Sequence, residues 1–215
     1  MKKLREIFSG GFAGRIGPFS ISDPFTIISH RPVDEICRDF ELQEESRDCL
    51  SKEHVPERFV EKLVRAKLYA DAIRFLAYGL PKLQATWWSC VCVRIVPVCF
   101  GDPVSAEALA SAEAWVKDPS EQNREAALSS GSKHNFEMPG AAAAWSAMAA
   151  SWSGGEPVTT EEEDMPAPPE HLTAHAASGA ILLAATANPN QANKVYREFL
   201  DKGVQIAQGK IQISP

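Results

Sequence analysis

Apolar residues recur every three or four positions along most of the chain from Pro32 onward, the period of a helix that buries one face. The clearest stripe is Phe59, Leu63, Ala66, Ala70, Ile73 and Ala77. It follows Pro56, which suits a first helical turn because the N–H it lacks would be unbonded there anyway. Lys67 interrupts the stripe and is the point at which one rod would become a hairpin. Upstream, Val33–Phe40 and Gln43–Ser51 are predicted as short helices. Downstream, Gly79-Leu80-Pro81 ends one helix and begins the next. The segment Pro81–Val96 is apolar on nearly all sides, including Leu83, Trp87, Trp88, Cys90, Val91, Cys92, Val93 and Ile95. A helix without a polar face belongs at the centre of a fold, and Pro97 closes this one.

Beyond it the boundaries come from caps and prolines. Ser105 is placed to cap a helix running to Val116. Asp118-Pro119-Ser120-Glu121 combines an acidic N-cap, a proline at the first position and a glutamate three residues after the cap, predicting a helix from Pro119 to Leu128. Pro139 opens an alanine-rich helix with Trp145, Met148 and Trp152 along one face, stopped by Gly154-Gly155. A small-residue helix begins at Glu170 or Thr173 and ends near Ala187. Asn188-Pro189-Asn190-Gln191 then repeats the cap-and-proline arrangement before a last helix carrying Val195, Phe199, Leu200, Val204, Ile206 and Ala207, ended by Gly209. The expectation is an all-α protein of eight or nine helices in stacked antiparallel hairpins, since short connections favour antiparallel neighbours. No repeated sequence period accompanies the hairpins. Residues 1–32, punctuated by glycine and proline, read as an irregular N-terminal arm. Residues 33–215 read as a single helical domain interrupted by an exposed acidic, proline-rich loop at 153–169.

Charge and cysteine usage narrow the function classes. A formal net charge of -6 and the lack of any basic stripe speak against nucleic-acid binding, where phosphate contacts supply most of the affinity. The basic groups Lys2, Lys3, Arg5 and Lys62, Arg65, Lys67 are interleaved with apolar residues or acids and read as solvated faces. The opening MKKLREIF lacks the apolar stretch of a secretory leader. A membrane span needs about 20 mostly apolar residues. The run Ala85–Phe100 is broken by Arg94 and Pro97, and Leu172–Ala187 is too short and holds His175. The odd number of cysteines (Cys37, Cys49, Cys90, Cys92, Cys99) argues against a disulfide framework and for a reducing cytoplasm.

Candidate chemistry is sparse. His171 and His175 share a helix face at a spacing that can bind zinc. The residues between them (Leu172, Thr173, Ala174) supply no base of the HExxH kind and no third ligand is near in sequence, so the pair reads first as capping and packing. Cys90-x-Cys92 lacks the two-residue gap of redox and zinc motifs and reads as packing. Trp87-Trp88 and the Trp145/Met148/Trp152 stripe are core at such spacing, with a ligand or partner groove as the alternative. The acids Glu161–Asp164 lack the spaced ligands and glycine of a calcium loop. Gly10-Gly11-Phe12-Ala13-Gly14 is followed by no Lys-Ser/Thr and fails the phosphate-loop pattern. There is no GxSxG. No cofactor and no catalytic residue is expected.

Four stretches carry a resemblance: RFLAYGLPKLQATWWSCVCVR (Arg74–Arg94), AEAWVKDPSEQNREAA (Ala112–Ala127), PPEHLTAHAASGAILLAA (Pro168–Ala185) and YREFLDKGVQIAQGK (Tyr196–Lys210). Together they resemble an uncharacterised bacterial family of all-helical domains of unknown function, associated with type VI secretion genes. The resemblance implies an accessory role beside secretion components and supplies no activity or site residues. It leaves residues 1–32 uncovered. The resulting expectation is a non-enzymatic cytoplasmic interaction module, an adaptor or chaperone with a secretion component or effector as protein partner. Trp87, Trp88, Trp145 and Trp152 are its candidate contact residues. An immunity-type toxin inhibitor, whose negative charge would suit a basic target, and a small-molecule binder or enzyme near Trp87, Trp88 and His171 are the alternatives.

Overall fold

The structure, a computed structural model, describes residues 19–51, 53–134, 140–154 and 171–213. Those residues form ten α-helices and two 3-10 turns, with no strand among them. The helices are α1 (Val33–Cys37), α2 (Glu44–Leu50), α3 (Pro56–Arg65), α4 (Tyr69–Gly79), α5 (Lys82–Ile95), α6 (Pro103–Lys117), α7 (Glu121–Ser132), α8 (Ala141–Ser151), α9 (Leu172–Thr186) and α10 (Ala192–Ala207). The fold class is therefore all-α. The predicted stripe over 56–79 is two helices, because Lys67 takes the left-handed conformation (φ 62°) and turns the chain between them. Gly209, at φ 71°, ends α10 in the same conformation, the common helix stop.

Two boundaries differ from expectation. The helix assigned to Ser105 as cap starts three residues earlier: Asp102 is the N-cap, Pro103 the first residue, and the Asp102 carboxylate accepts the Val104 and Ser105 N–H groups. Ser105 lies inside the first turn and is fully buried. At 118–121 the cap is Ser120, not Asp118, and the helix runs Glu121–Ser132. Asp118 is already committed to α6, whose Ala114 carbonyl accepts its N–H at 3.0 Å. The chain needs Pro119 to turn before a second helix can start.

Consecutive helices pack on one another, yet the assembly is not a linear stack. In a solenoid each unit meets only its neighbours. Here α9 packs on α4, α5, α8 and α10, while α8 packs on α5, α6, α7 and α9. Side-chain volume explains the arrangement. Every alanine of α8 is buried (Ala141–Ala144, Ala147, Ala149, Ala150), as are Ala176, Ala177, Ala180, Ala184 and Ala185 of α9. Small side chains let backbones approach closely, so these two helices make the most extensive helix–helix contact among the described residues. Large residues fill the space around them: Phe59 and Phe75 meet edge-to-face at 5.0 Å, and Trp88 is fully buried. The Trp88 indole donates to the Phe199 carbonyl at 3.0 Å. A Cβ at Gly203, one turn further on, would lie 2.5 Å from the same ring.

Residues 19–32 lie across α3, α4 and the end of α10, held through backbone N–H groups. Thr26 and Ile27 donate to the Ala207 carbonyl, and Ser29 to that of Gly79. Ile21 donates to Glu61 Oε1 at 2.5 Å, and Phe25 donates to Glu57. A third acid, the fully buried Asp71, accepts the Gln43 N–H at 2.9 Å and the Ser46 hydroxyl at 2.6 Å, capping α2 from outside. The expected glycine motif at 10–14, the opening of a helix at Pro139 and nearly all of the acidic loop at 153–169 lie outside the described residues.

Candidate functional site

Tyr78, on the last turns of α4, divides a trough between α9 and the N-terminal segment into two hollows. Its ring stacks on His171 at 6.0 Å and tilts against Phe40 at 5.1 Å. Partial burial raises its hydroxyl's pKa, so it stays a neutral donor. The smaller hollow, about 350 Å³, lies at the start of α5; Ile28, Ala85 and Ala174 make its apolar floor, and Ser29, Arg31, Lys82 and His171 its polar walls. The larger, about 600 Å³, is lined by Asp39, Phe40, Glu41, Arg74, His175 and Leu182 among others. Both are open and neither is deep enough to exclude water.

The two hollows differ in charge. Three basic side chains and no acid line the smaller one, in a protein with 28 acids against 22 Lys and Arg. Asp39 lies on the other side of Tyr78. It bonds Arg31 Nη1 at 2.6 Å and lies 3.5 Å from His171 Nε2, so one carboxylate holds two side chains that border the smaller hollow. The N-cap of α5 is Pro81, with no side-chain cap on the helix. The positive end of a fourteen-residue helix thus adds to the basic side chains. In the larger hollow Asp39 and Glu41 face Arg74, whose charge is matched by Asp71 at 2.8 Å.

An aromatic margin continues from the larger hollow onto α8. His175, exposed, meets Trp145 edge-on at 6.1 Å, and Trp145 meets Trp152 at 6.2 Å. Both tryptophans are half-buried. Trp87 and Trp88, by contrast, are buried on α5, Trp88 fully and Trp87 with 8% of its surface exposed. The candidate histidine pair does not converge: His171 packs on Tyr78 of α4 and His175 on Trp145 of α8. His171 makes no side-chain cap on α9. Among the described residues no group of three His, Cys, Asp or Glu is placed to hold a metal ion. All five cysteines are unpaired thiols. Burial pushes the pKa of Cys37 up to about 12 and that of Cys99 to about 11, and raises those of Cys90 and Cys92 further. None of these four buried thiols is primed as a nucleophile.

One constellation escaped the sequence. Ser105 Oγ lies 3.0 Å from His134 Nε2 and 2.5 Å from Asp102 Oδ2. The residue types are those of a hydrolase triad, but the connections are not. In a triad the acid orients the histidine and the histidine takes the serine proton. Here the hydroxyl donates to the carboxylate, so histidine must donate to the hydroxyl. Ser105 is fully buried, and a Cβ at Gly140 would stand 1.8 Å from its oxygen, leaving no room for a substrate carbonyl. The cluster is a helix cap that fastens the start of α6 to the end of α7. The Ser105 hydroxyl and N–H, with the Val104 N–H, hold Asp102 below the usual carboxylate pKa. Sequence spacing of 29 residues between Ser105 and His134 gave no local signal.

No helix among the described residues is long and apolar enough to cross a membrane. The model of a family of unknown function, DUF6931, matches residues 59–207, and the chain belongs to that family. No curated protein and no solved structure matches the chain.

Proposed function

We propose that this member of the DUF6931 family is a non-enzymatic interaction module whose trough receives a segment of a partner protein. The partner would be a component or effector of a bacterial type VI-like secretion system, with this chain as accessory, adaptor or chaperone. The trough carries the reading. It combines an apolar floor, half-buried aromatic side chains and polar groups of both signs along one open channel. Partner-binding surfaces favour such aromatic anchors ringed by polar groups. The resemblance of four sequence stretches to a helical family associated with type VI secretion genes supports the class of partner.

Affinity purification from the native host tests this with the wild-type chain and a Tyr78→Ala/Trp145→Ala variant, circular dichroism confirming that both are folded. Recovery of a secretion component or effector with the wild type, and its loss with the variant, is expected. Recovery of none, or equal recovery by both, removes the proposal.

A further inference from the structure

The smaller hollow has a more specific chemistry than the trough as a whole. Building on the partner-binding reading, we infer that it is the seat of a carboxylate at the C-terminus of the partner segment, with the last side chain on the apolar floor. Three observations converge. Arg31, Lys82 and His171 line the hollow and no acid does. Pro81 and Lys82, the N-cap and first residue of α5, line it and the helix has no side-chain cap; helix N-termini favour anions. The volume, about 350 Å³, admits a terminal residue but not a helix about 10 Å across.

The floor decides between kinds of anion. Inorganic phosphate would be served by the polar wall alone and would leave the half-buried Ile27 and Ala174 facing water. A terminal residue uses both: its carboxylate meets Lys82 and the α5 N-terminus, and its side chain covers the floor. Asp39 does not compete for the seat. It stands beyond Tyr78, bonded to Arg31 and beside His171, and it fixes the two side chains that border the hollow. The larger hollow, with Asp39 and Glu41, would then hold the preceding part of the segment and favour cationic residues there.

The test uses the full chain, ¹⁵N-labelled, titrated with short N-acetylated peptides ending in leucine, either as free acid or as C-terminal amide. Inorganic phosphate at matched ionic strength is the third arm. The free acid should shift the amide signals of Ser29, Lys82 and His171 saturably. The amide should bind about tenfold more weakly, the loss of one charge-assisted hydrogen bond. Lys82→Ala should weaken the acid about tenfold and Lys82→Arg should restore it. Lys82 is exposed, so neither change threatens the fold. Equal binding of acid and amide, binding of neither, or phosphate saturating the same signals as tightly as the acid would each overturn the inference. Failure here is separable from failure of the parent reading. A secretion partner recovered equally by wild type and Lys82→Ala ends the carboxylate seat and leaves the interaction module standing.

Discussion

The N-terminal segment shares the apolar core of the helices, burying Ile21, Ile28, Val33, Ile36 and Leu42, but adds a second kind of attachment. The body of that core lies within the family match at 59–207 and is an apolar packing problem: alanine-lined α8 and α9 at the centre, Trp88, Phe59, Phe75 and Phe199 around them. Residues 19–50 are attached at three further points by carboxylates, with Glu57, Glu61 and Asp71 accepting backbone N–H groups of Phe25, Ile21 and Gln43. Apolar burial is indifferent to pH, whereas an ionised acceptor is not. One molecule thus joins an apolar body to a strap whose attachment adds an acceptor that titrates below its ordinary range, Glu61, and that strap forms one wall of the trough.

The largest effect should come from the core. Trp88→Ala removes a fully buried indole and its bond to Phe199, and should cost about 4 kcal/mol in urea unfolding. If the loss were under about 1 kcal/mol, the core would not be the stabilising body described. Asp71→Ala comes next. It strands Arg74, the Gln43 N–H and the Ser46 hydroxyl together, and should cost about 3 kcal/mol with fraying of α2 visible by hydrogen exchange. Ala177→Leu overfills a fully buried site and should cost about 2 kcal/mol; a neutral outcome would mean that α9 has slack the packing does not show.

Glu61→Gln is the smallest and the most diagnostic, at about 1 kcal/mol. Burial alone would raise the pKa of Glu61, but the Ile21 N–H, the Arg58 guanidinium, the Ser20 hydroxyl and Arg65 outweigh it and hold the carboxyl below its ordinary value. The native state therefore binds this proton less readily than the unfolded chain. Its contribution is fully present above the unfolded value of about 4.3 and is lost as pH falls through the lower folded value. Acid titration should expose the Ile21 amide, held by Glu61, to exchange before those of α9. Simultaneous exposure of both would erase the distinction between body and strap.

Legibility in sequence followed the same division. Core helices announce themselves through period, as α3, α4 and the all-round apolar α5 did, and the break at Lys67 was visible as an interruption of the stripe. Caps were harder, because Asp-Pro-x-Ser and Asp-Pro-Ser each offer two oxygens within three residues. Which one caps depends on where the preceding helix releases the chain: Ser105 yielded to Asp102, and Asp118 to Ser120. The trough was illegible. His171 was noticed for its spacing to His175, but its working neighbours Tyr78, Asp39 and Lys82 come from three other segments. The central position of α8 was missed for a related reason: alanine carries little hydrophobic signal, and its role here is the space it leaves to neighbours.

The strap's mode of attachment also bears on how binding preference can diversify. Bonds at Ile21, Phe25, Thr26, Ile27, Ser29 and Gln43 are all given by main-chain N–H groups, which every residue except proline possesses. Exposed side chains such as Ser22 and His30 can be exchanged without touching those main-chain bonds, whereas Ser20, Asp23 and Ile28 contribute to the anchor themselves. A lineage or an engineer could thus reline this wall like a replaceable cassette, altering what the channel accepts while the alanine-packed interior stays untouched.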